Sequence, residues 1–206
     1  DPYNNKSFYH LVPWPENVHI FKGEYEAIEL KEFNAIIHGI GFSDSHINSS
    51  VLKGVEAKDR NKINIMVLHG ELSSNGANDY NPFTLEEIGA SKMDYIALGH
   101  RHGFSGILRE KDTYYAYSGN IEGRGFDEIG EKGVILGTIA KNNIDLSFKA
   151  MQKRKYFLEE IDITGCATYE EVCGRILETF GSLGESNLFK IILIGELPEY
   201  FHLNLE

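Results

Sequence analysis

Three histidines have the residue type and the spacing that metal binding requires. His69 follows the apolar run 63–68, and His100 and His102 follow the run 94–98 in the sequence Gly-His-Arg-His. In extended backbone, residues two apart point to the same side. Neutral imidazole is a suitable ligand for Mn, Fe, Zn or Ni. We therefore expect the three side chains to converge on one crevice. A single histidine at a strand end is more often a solvated or structural residue.

Two buried strands should carry these histidines to one edge of a sheet. The apolar runs 63–68 and 94–98 are typical of strands covered on both faces. Between them, Thr84 and Glu87 have the spacing of a capping box, which predicts a short helix that ends near Gly89. A strand, a helix and a strand in this order predict parallel strands joined by a right-handed crossover. Ligands bind at the carboxyl ends of such strands.

The other elements predict a mixed α/β (α+β) chain with two domains, 1–150 and 151–206. Short strands are expected at 18–21, 25–30 and 34–40, followed by a polar loop over 43–62 with room for one helix. Hairpins are expected at 107–117 and 134–149, the second around Asn142-Asn143. After the basic cluster 153–155, a strand, a helix that begins at Thr168, and a strand over 188–194 form the second domain. His38, inside an apolar run, is expected to be structural.

Composition restricts the class of protein. The 206 residues are 42% hydrophobic, which is enough for a folded core. The formal net charge of -11 argues against a generally basic nucleic-acid-binding surface, although a local basic groove would still serve. Cys166 and Cys173 lack zinc-ligand spacing, and this sparse use favours reduced thiols in a cytoplasmic protein. No apolar run has the ~20 residues of a membrane span.

Three segments resemble calcineurin-like metallophosphoesterases of the SbcD/YhaO-type DNA repair exonuclease family. DYIALGHRH at 94–102 resembles the late signature of the family, and VLHG at 67–70 resembles the signature before it. YSGNIEGRGFDE at 117–128 resembles the segment that follows. The resemblance covers about 1–150, and the rest resembles the small capping domain of the family. It implies the later half of a β-sandwich with flanking helices.

The resemblance also implies roles for the histidines. His69 and His100 would bind one metal and His102 the other, in a site of two divalent ions, Mn in the first place, with Fe or Zn as alternatives. Asp1-Pro2 resembles the end of the Gly-Asn-His-Asp motif of the family. We therefore expect the carboxylate ligands and the catalytic histidine to precede residue 1, and this chain alone to be inactive.

Further residues are candidates for substrate contacts, each with a plain structural alternative. Arg101 lies between two candidate ligands and is suited to a phosphate or to a surface ion pair. Ser118, Asn120 and Arg124 lie in turns that either approach DNA or only shape the backbone. Lys153, Arg154 and Lys155 form the best basic patch for a DNA backbone, or else are solvated charges between domains.

The function expected from the resemblance is metal-dependent DNA exonuclease or endonuclease activity in DNA repair. The expected partners are DNA and a coiled-coil ABC-type ATPase, with a possible homodimer through upstream residues and no membrane. One alternative keeps the fold and changes the substrate to a nucleotide or another small phosphodiester. Another is a non-catalytic interaction module with vestigial histidines.

Overall fold

The computed structural model describes residues 3–4, 7–73, 78–181, 183–184 and 186–204. Asp1 and Pro2 lie outside the described residues. The chain divides into two compact units, Asp1–Asn120 with Gly133–Lys149, and Ile121–Lys132 with Ala150–Glu206. The segment 121–132, which we expected in the first domain, therefore groups with the second unit. No helix in the described part of the chain is long and apolar enough to cross a lipid bilayer.

The described residues form twelve strands and two α-helices, which confirms the predicted mixed α/β class. In chain order they are β1 (Glu26–Leu30), β2 (Ala35–Ile40), β3 (Ile63–His69), β4 (Glu71–Leu72), β5 (Pro82–Phe83), α1 (Leu85–Ser91), β6 (Tyr95–Gly99), β7 (Leu108–Glu110), β8 (Thr113–Tyr117), β9 (Gly133–Ala140), β10 (Asn143–Ala150), β11 (Tyr156–Asp162), α2 (Tyr169–Phe180) and β12 (Leu188–Ile194). The main sheet has the order β1-β2-β3-β6-β8-β7, and β9 pairs with β10 in a separate hairpin.

The predicted strand–helix–strand unit is present as β3, α1 and β6, and its two strands are parallel. Thr84 caps the helix: its hydroxyl accepts from the Glu87 amide, and the Glu87 carboxylate accepts from the Thr84 amide. The helix continues past Gly89 to Ser91 and ends where Lys92 adopts a left-handed φ of 53°. A single glycine weakens a helix without having to end it.

One face of the main sheet carries the core of the first unit. Alternate residues on β3 and β6, including Met66, Leu68, Ile96 and Leu98, are buried there with Ile88 of α1. The loop 43–62 also contributes, because Leu52 and Ala57 belong to the same cluster. The contribution of this loop to the core could not be predicted from the sequence, because its apolar residues follow no helical or strand period.

Two expectations differ from the structure. Residues 18–21 form no strand; instead the Phe21 ring lies on β2, where a Cβ on Gly39 would come within 2.3 Å of that ring. The loop 43–62 contains no helix. The segment 107–117 does form an antiparallel hairpin, and its β8 also pairs in parallel with β6. The expectations for 18–21 and 43–62 differ from the structure because tertiary contacts, which sequence patterns do not show, decide how short segments fold and pair.

The second unit contains the predicted βαβ arrangement. β11 and β12 are parallel, and Thr168 caps α2 by accepting from the Glu171 amide. The helix buries Val172 and Phe180 in a cluster with Ile161, Ile163 and Cys166. Cys173 is exposed, and both cysteines are free thiols.

His38 is a buried structural residue of β2, with 3% of its surface exposed. Its Nε2 lies 3.0 Å from the Asn64 Oδ1, and its Nδ1 lies 2.6 Å from the Tyr25 hydroxyl. An amide oxygen only accepts, so Nε2 carries the proton and Nδ1 accepts from Tyr25. Burial lowers the pKa of His38, which keeps the ring neutral in this network.

We predict that His38 makes the first unit less stable at mildly acidic pH. An unfolded histidine binds a proton below pH ~6.5, whereas folded His38 with its lowered pKa stays neutral there. The unfolded state therefore gains protons first, and stability falls as pH decreases below about 6.5. His38→Gln should show a smaller loss between about pH 7 and pH 5, measured by urea unfolding with Trp14 fluorescence. An equal loss in both proteins would contradict this role.

Candidate metal and phosphoester site

The structure places His69 and His100 side by side at the carboxyl ends of β3 and β6. His69 is paired in register with Gly99, and the Gly70 amide donates to the Gly99 carbonyl at 3.2 Å. The two imidazole centroids are 5.3 Å apart, and the ring planes meet at 77°. The predicted proximity of these two side chains is therefore observed, and their role as metal ligands stays a prediction.

Two glycines make room for this approach. A Cβ on Gly99 would lie 3.1 Å from the His69 Nδ1, which is tighter than most side-chain contacts. A Cβ on Gly70 would lie 2.6 Å from the Asn81 side chain and carbonyl. Side chains at these two positions would push either the His69 ring or its supporting loop aside. The glycines of VLHG and GHRH thus have a packing reason to be present.

Asn81 and Tyr117 hold the turn after His69, and neither was among the candidate site residues chosen from the sequence. Asn81 is fully buried; its amide nitrogen donates to the His69 carbonyl at 2.8 Å, and its amide oxygen accepts from the Val51 amide. The Tyr117 hydroxyl donates to the Gly70 carbonyl and accepts from the Leu72 amide. Asn81 belongs to no motif, and Tyr117 only begins the segment 117–128, so the folded chain alone shows that they position the backbone of His69.

His100 has an uncommon backbone conformation. Its φ is 111°, a value that residues with a side chain rarely adopt. The ring stacks on Tyr80 at 5.1 Å, and Nε2 lies 3.7 Å from the Glu71 carboxylate. Strained backbone of this kind persists only where the surroundings enforce it, and it is concentrated at functional sites. Glu71 is thus next to a candidate ligand.

Electrostatics favour a neutral imidazole at His69. His69 is exposed at the end of β3, yet the protein atoms packed around part of its ring, followed by the neighbouring His100 and His102, lower its pKa to about 4. The Phe42 ring packs edge-on against His69 at 5.4 Å and forms part of this low-dielectric surrounding. Because a metal binds imidazole only in its deprotonated form, His69 is available as a ligand at neutral pH.

His102 is exposed, and its backbone is fixed by the turn at 118–120. The Asn120 amide donates to the His102 carbonyl at 3.2 Å. Gly119 has a φ of 74°, and a Cβ there would lie 2.9 Å from the same carbonyl. The Ser118 hydroxyl donates to the Gly119 carbonyl at 3.3 Å. The Ser-Gly-Asn turn therefore supports the backbone that carries His102.

The cationic candidates have carboxylate neighbours. Arg101 lies 3.8 Å from Glu71, with its guanidinium over the Tyr117 ring at 5.3 Å. In the second unit, Arg124 pairs with Glu128 at 3.0 Å, and Lys155 with Glu131 at 3.0 Å. The backbone amides of Lys153 and Arg154 donate to Glu122. Arg101 is thus adjacent to the histidines. The other four cationic candidates, Arg124, Lys153, Arg154 and Lys155, belong to the second unit.

The histidines fit part of a metal site. Within the described ranges, no group of three or more His, Cys, Asp or Glu side chains is arranged to hold a metal ion. His69 and His100 nevertheless supply two adjacent imidazoles, and the lowered pKa of His69 keeps its ring neutral at neutral pH. A dinuclear site also needs anionic ligands, which these histidines do not provide.

Taken together, the fold and the site define an α/β protein with an imidazole pair at the carboxyl edge of parallel strands, where such folds bind their ligands. No protein-family profile matches the chain. Over 199 residues it is 30% identical to the uncharacterized metallophosphoesterase YhaO of Bacillus subtilis (strain 168). The matched region covers 92% of this chain and 48% of that protein, so the chain spans about half the length of the relative. This similarity supports the metallophosphoesterase family.

We predict that the positive φ at His100 destabilises the fold of any variant that keeps a Cβ there. Glycine adopts such angles freely, whereas a strained residue costs about 1–3 kcal/mol. His100→Gly should therefore be more stable than His100→Ala by about 1 kcal/mol or more, despite the entropy that glycine adds to the unfolded chain. Urea unfolding followed by Trp14 fluorescence measures the difference. The reverse order of stability would show that the backbone at position 100 is not strained.

Proposed function

We propose that the protein containing this chain is a metal-dependent phosphodiesterase, with His69, His100 and His102 as imidazole ligands. The observation that carries the proposal is the pair of adjacent imidazoles at the carboxyl ends of β3 and β6, one of them with a lowered pKa. The similarity to a metallophosphoesterase over 92% of the chain supports the same chemistry. The proposed ions are two divalent metals, Mn first among them.

Divalent ions held in part by His69, His100 and His102 would supply the positive charge that binds a phosphodiester and would make a water molecule more acidic. The residues of this chain then have separate tasks. His69 and His100 present ring nitrogens, and Glu71 lies within 4 Å of both His100 and Arg101. At 3.7 Å from the His100 Nε2 the Glu71 carboxylate is beyond hydrogen-bond distance, so it would act on the ring through its charge. Arg101, beside the histidines, would bind a phosphate oxygen of the substrate through its planar guanidinium.

We further propose that the carboxylate ligands come from residues outside the described part of the chain. The described residues supply no cluster of three or more potential ligands. The relative is about twice as long as the matched region, so it has room for a further set of ligands. On this proposal, the 206 residues alone do not hydrolyse phosphodiesters, and a longer protein does.

The proposed substrate is DNA, on the resemblance of 67–70, 94–102 and 117–128 to SbcD-type exonucleases. A nucleotide or another small phosphodiester is the second candidate, and specific observations favour it. The chain carries a net charge of -11, and Arg124 and Lys155 are paired with carboxylates. Cations neutralised in this way attract a DNA backbone less strongly. The coiled-coil ATPase partner and the homodimer remain expectations.

A hydrolysis assay tests this function in the longest natural form of the protein. We predict Mn²⁺-dependent cleavage of single- or double-stranded DNA or of a chromogenic phosphodiester, and loss of that cleavage with a chelator. His69→Ala and His100→Ala should each lower kcat/KM at least about 100-fold, because losing a partner of a ligand already costs about 10- to 100-fold.

His202→Ala is the matched control, since this histidine is exposed in the second unit and should leave activity unchanged. Cleavage of DNA but not of the small substrate would support the nuclease, and the opposite preference would support the second candidate. Full activity in both site variants would exclude the histidines from the reaction.

A further inference from the structure

A carboxylate lies beside two residues of the proposed phosphoester site. The Glu71 Oε2 is 3.7 Å from the His100 Nε2, and the Glu71 Oε1 is 3.8 Å from the Arg101 guanidinium. The side chain of Glu71 is 36% exposed, so solvent screens its charge only in part. A phosphate that approaches His100 and Arg101 therefore meets a negative charge.

The fold fixes the position of this charge. The Glu71 Oε2 accepts from the Asn78 amide nitrogen at 3.0 Å. The backbone amide of Glu71 donates to the Asn81 carbonyl at 3.2 Å, and β4, which begins at Glu71, pairs in parallel with β5. Both the backbone and the carboxylate are thus held beside His100, which distinguishes Glu71 from a freely moving surface side chain.

Glu71 also offsets the charge of Arg101. The Arg101 guanidinium lies over the ring of buried Tyr117, 5.3 Å from its centre. The Tyr117 hydroxyl is fixed by bonds to the Gly70 carbonyl and the Leu72 amide. The arginine is therefore kept close to the carboxylate, and the two residues together add no net charge to the site. A phosphate would gain hydrogen-bond donors from Arg101 without a net attraction to the pair.

The charge of the ligand then determines how strongly Glu71 opposes it. A phosphodiester carries one negative charge, whereas a phosphomonoester carries about two at pH 8, because its second pKa is about 6. With the screening of bulk water, one extra unit charge about 6 Å from a carboxylate lowers affinity by a factor of about three. Weaker screening in a partly enclosed site increases this factor.

We infer that Glu71 determines specificity by favouring singly charged phosphodiesters over doubly charged phosphomonoesters. The inference rests on the proposed phosphodiesterase function and adds a residue that separates the two classes of ester. Bound metal ions attract both esters, and they attract the dianion more strongly. Glu71 reduces that advantage, because its repulsion also increases with the charge of the ligand.

Binding of two matched anions tests this role separately from hydrolysis. Methyl phosphate and dimethyl phosphate differ by one methyl group and by about one unit of charge at pH 8. Their affinities for the longest natural form of the protein, saturated with Mn²⁺, are measured by isothermal titration calorimetry. The ratio of the two affinities is compared between variants, because effects common to both ligands cancel in it.

Glu71→Gln removes the charge and keeps an oxygen that accepts from Asn78, so the fold should persist. The affinity for methyl phosphate relative to dimethyl phosphate should rise at least about threefold. The kcat/KM for p-nitrophenyl phosphate should rise by a similar factor relative to that for bis(p-nitrophenyl) phosphate. Glu71→Asp keeps the charge and should keep the wild-type ratio. Circular dichroism verifies that each variant is folded.

Glu32→Gln is the matched control for the loss of one negative charge. Glu32 is exposed in the turn before β2. Because β2 is parallel to β3, this turn lies at the amino ends of the strands, at the edge opposite the histidines. The affinity ratio should be the same in Glu32→Gln as in the wild-type protein.

An unchanged ratio in folded Glu71→Gln, or an equal rise in Glu32→Gln, would overturn the inference. If the ratio rises as expected but neither chromogenic ester is cleaved, the role of Glu71 in anion selection stands and the phosphodiesterase proposal fails. If bis(p-nitrophenyl) phosphate is cleaved and the ratio is the same in all variants, only the assignment of Glu71 fails.

Discussion

The close approach of the two strand ends at Gly70 and Gly99 is the constraint on which the site depends. Parallel pairing of β3 with β6 brings His69 opposite Gly99, and the imidazole then occupies the space that a side chain on residue 99 would fill. Asn81 and Tyr117 donate to the carbonyls of His69 and Gly70, and they fix the backbone that carries the ring. On the other strand, His100 accepts an unfavourable φ and stacks on Tyr80. The imidazole pair is therefore preorganised by the protein, and a metal would not have to assemble it.

Sequence reasoning predicted the elements with strong local signals and missed those that depend on distant contacts. The continuous apolar runs predicted β3 and β6, and the capping-box patterns at Thr84 and Thr168 predicted the start of both helices. The proximity of His69 and His100 followed from strand order alone. By contrast, Asn81 lies in a polar loop with no pattern, and its burial depends on contacts with Val51 and His69, both far away in sequence. The segment 18–21 has strand-like composition, but Phe21 packs on Gly39 and does not pair.

Charge is the least expected feature for a protein that would bind phosphodiesters. The chain is acidic overall, and the arginines and lysines singled out from the sequence mostly have carboxylates beside them. A metal site would allow an acidic protein to bind phosphodiesters, because divalent ions are the largest positive charges where they bind and attract phosphate without a basic surface. On the proposed function, metal ions would attract the phosphate more than the protein surface would.

The proposed function requires that His69 and His100 bind a metal ion together. The most direct measurement is a crystal structure of the longest natural form of the protein grown with Mn²⁺, with anomalous scattering data to locate the ion. We expect an anomalous peak at the carboxyl ends of β3 and β6, with a ring nitrogen of each histidine within about 2.0–2.2 Å, the range for metal–imidazole bonds. Mn²⁺ bound elsewhere, with both imidazoles lacking a metal, would contradict it.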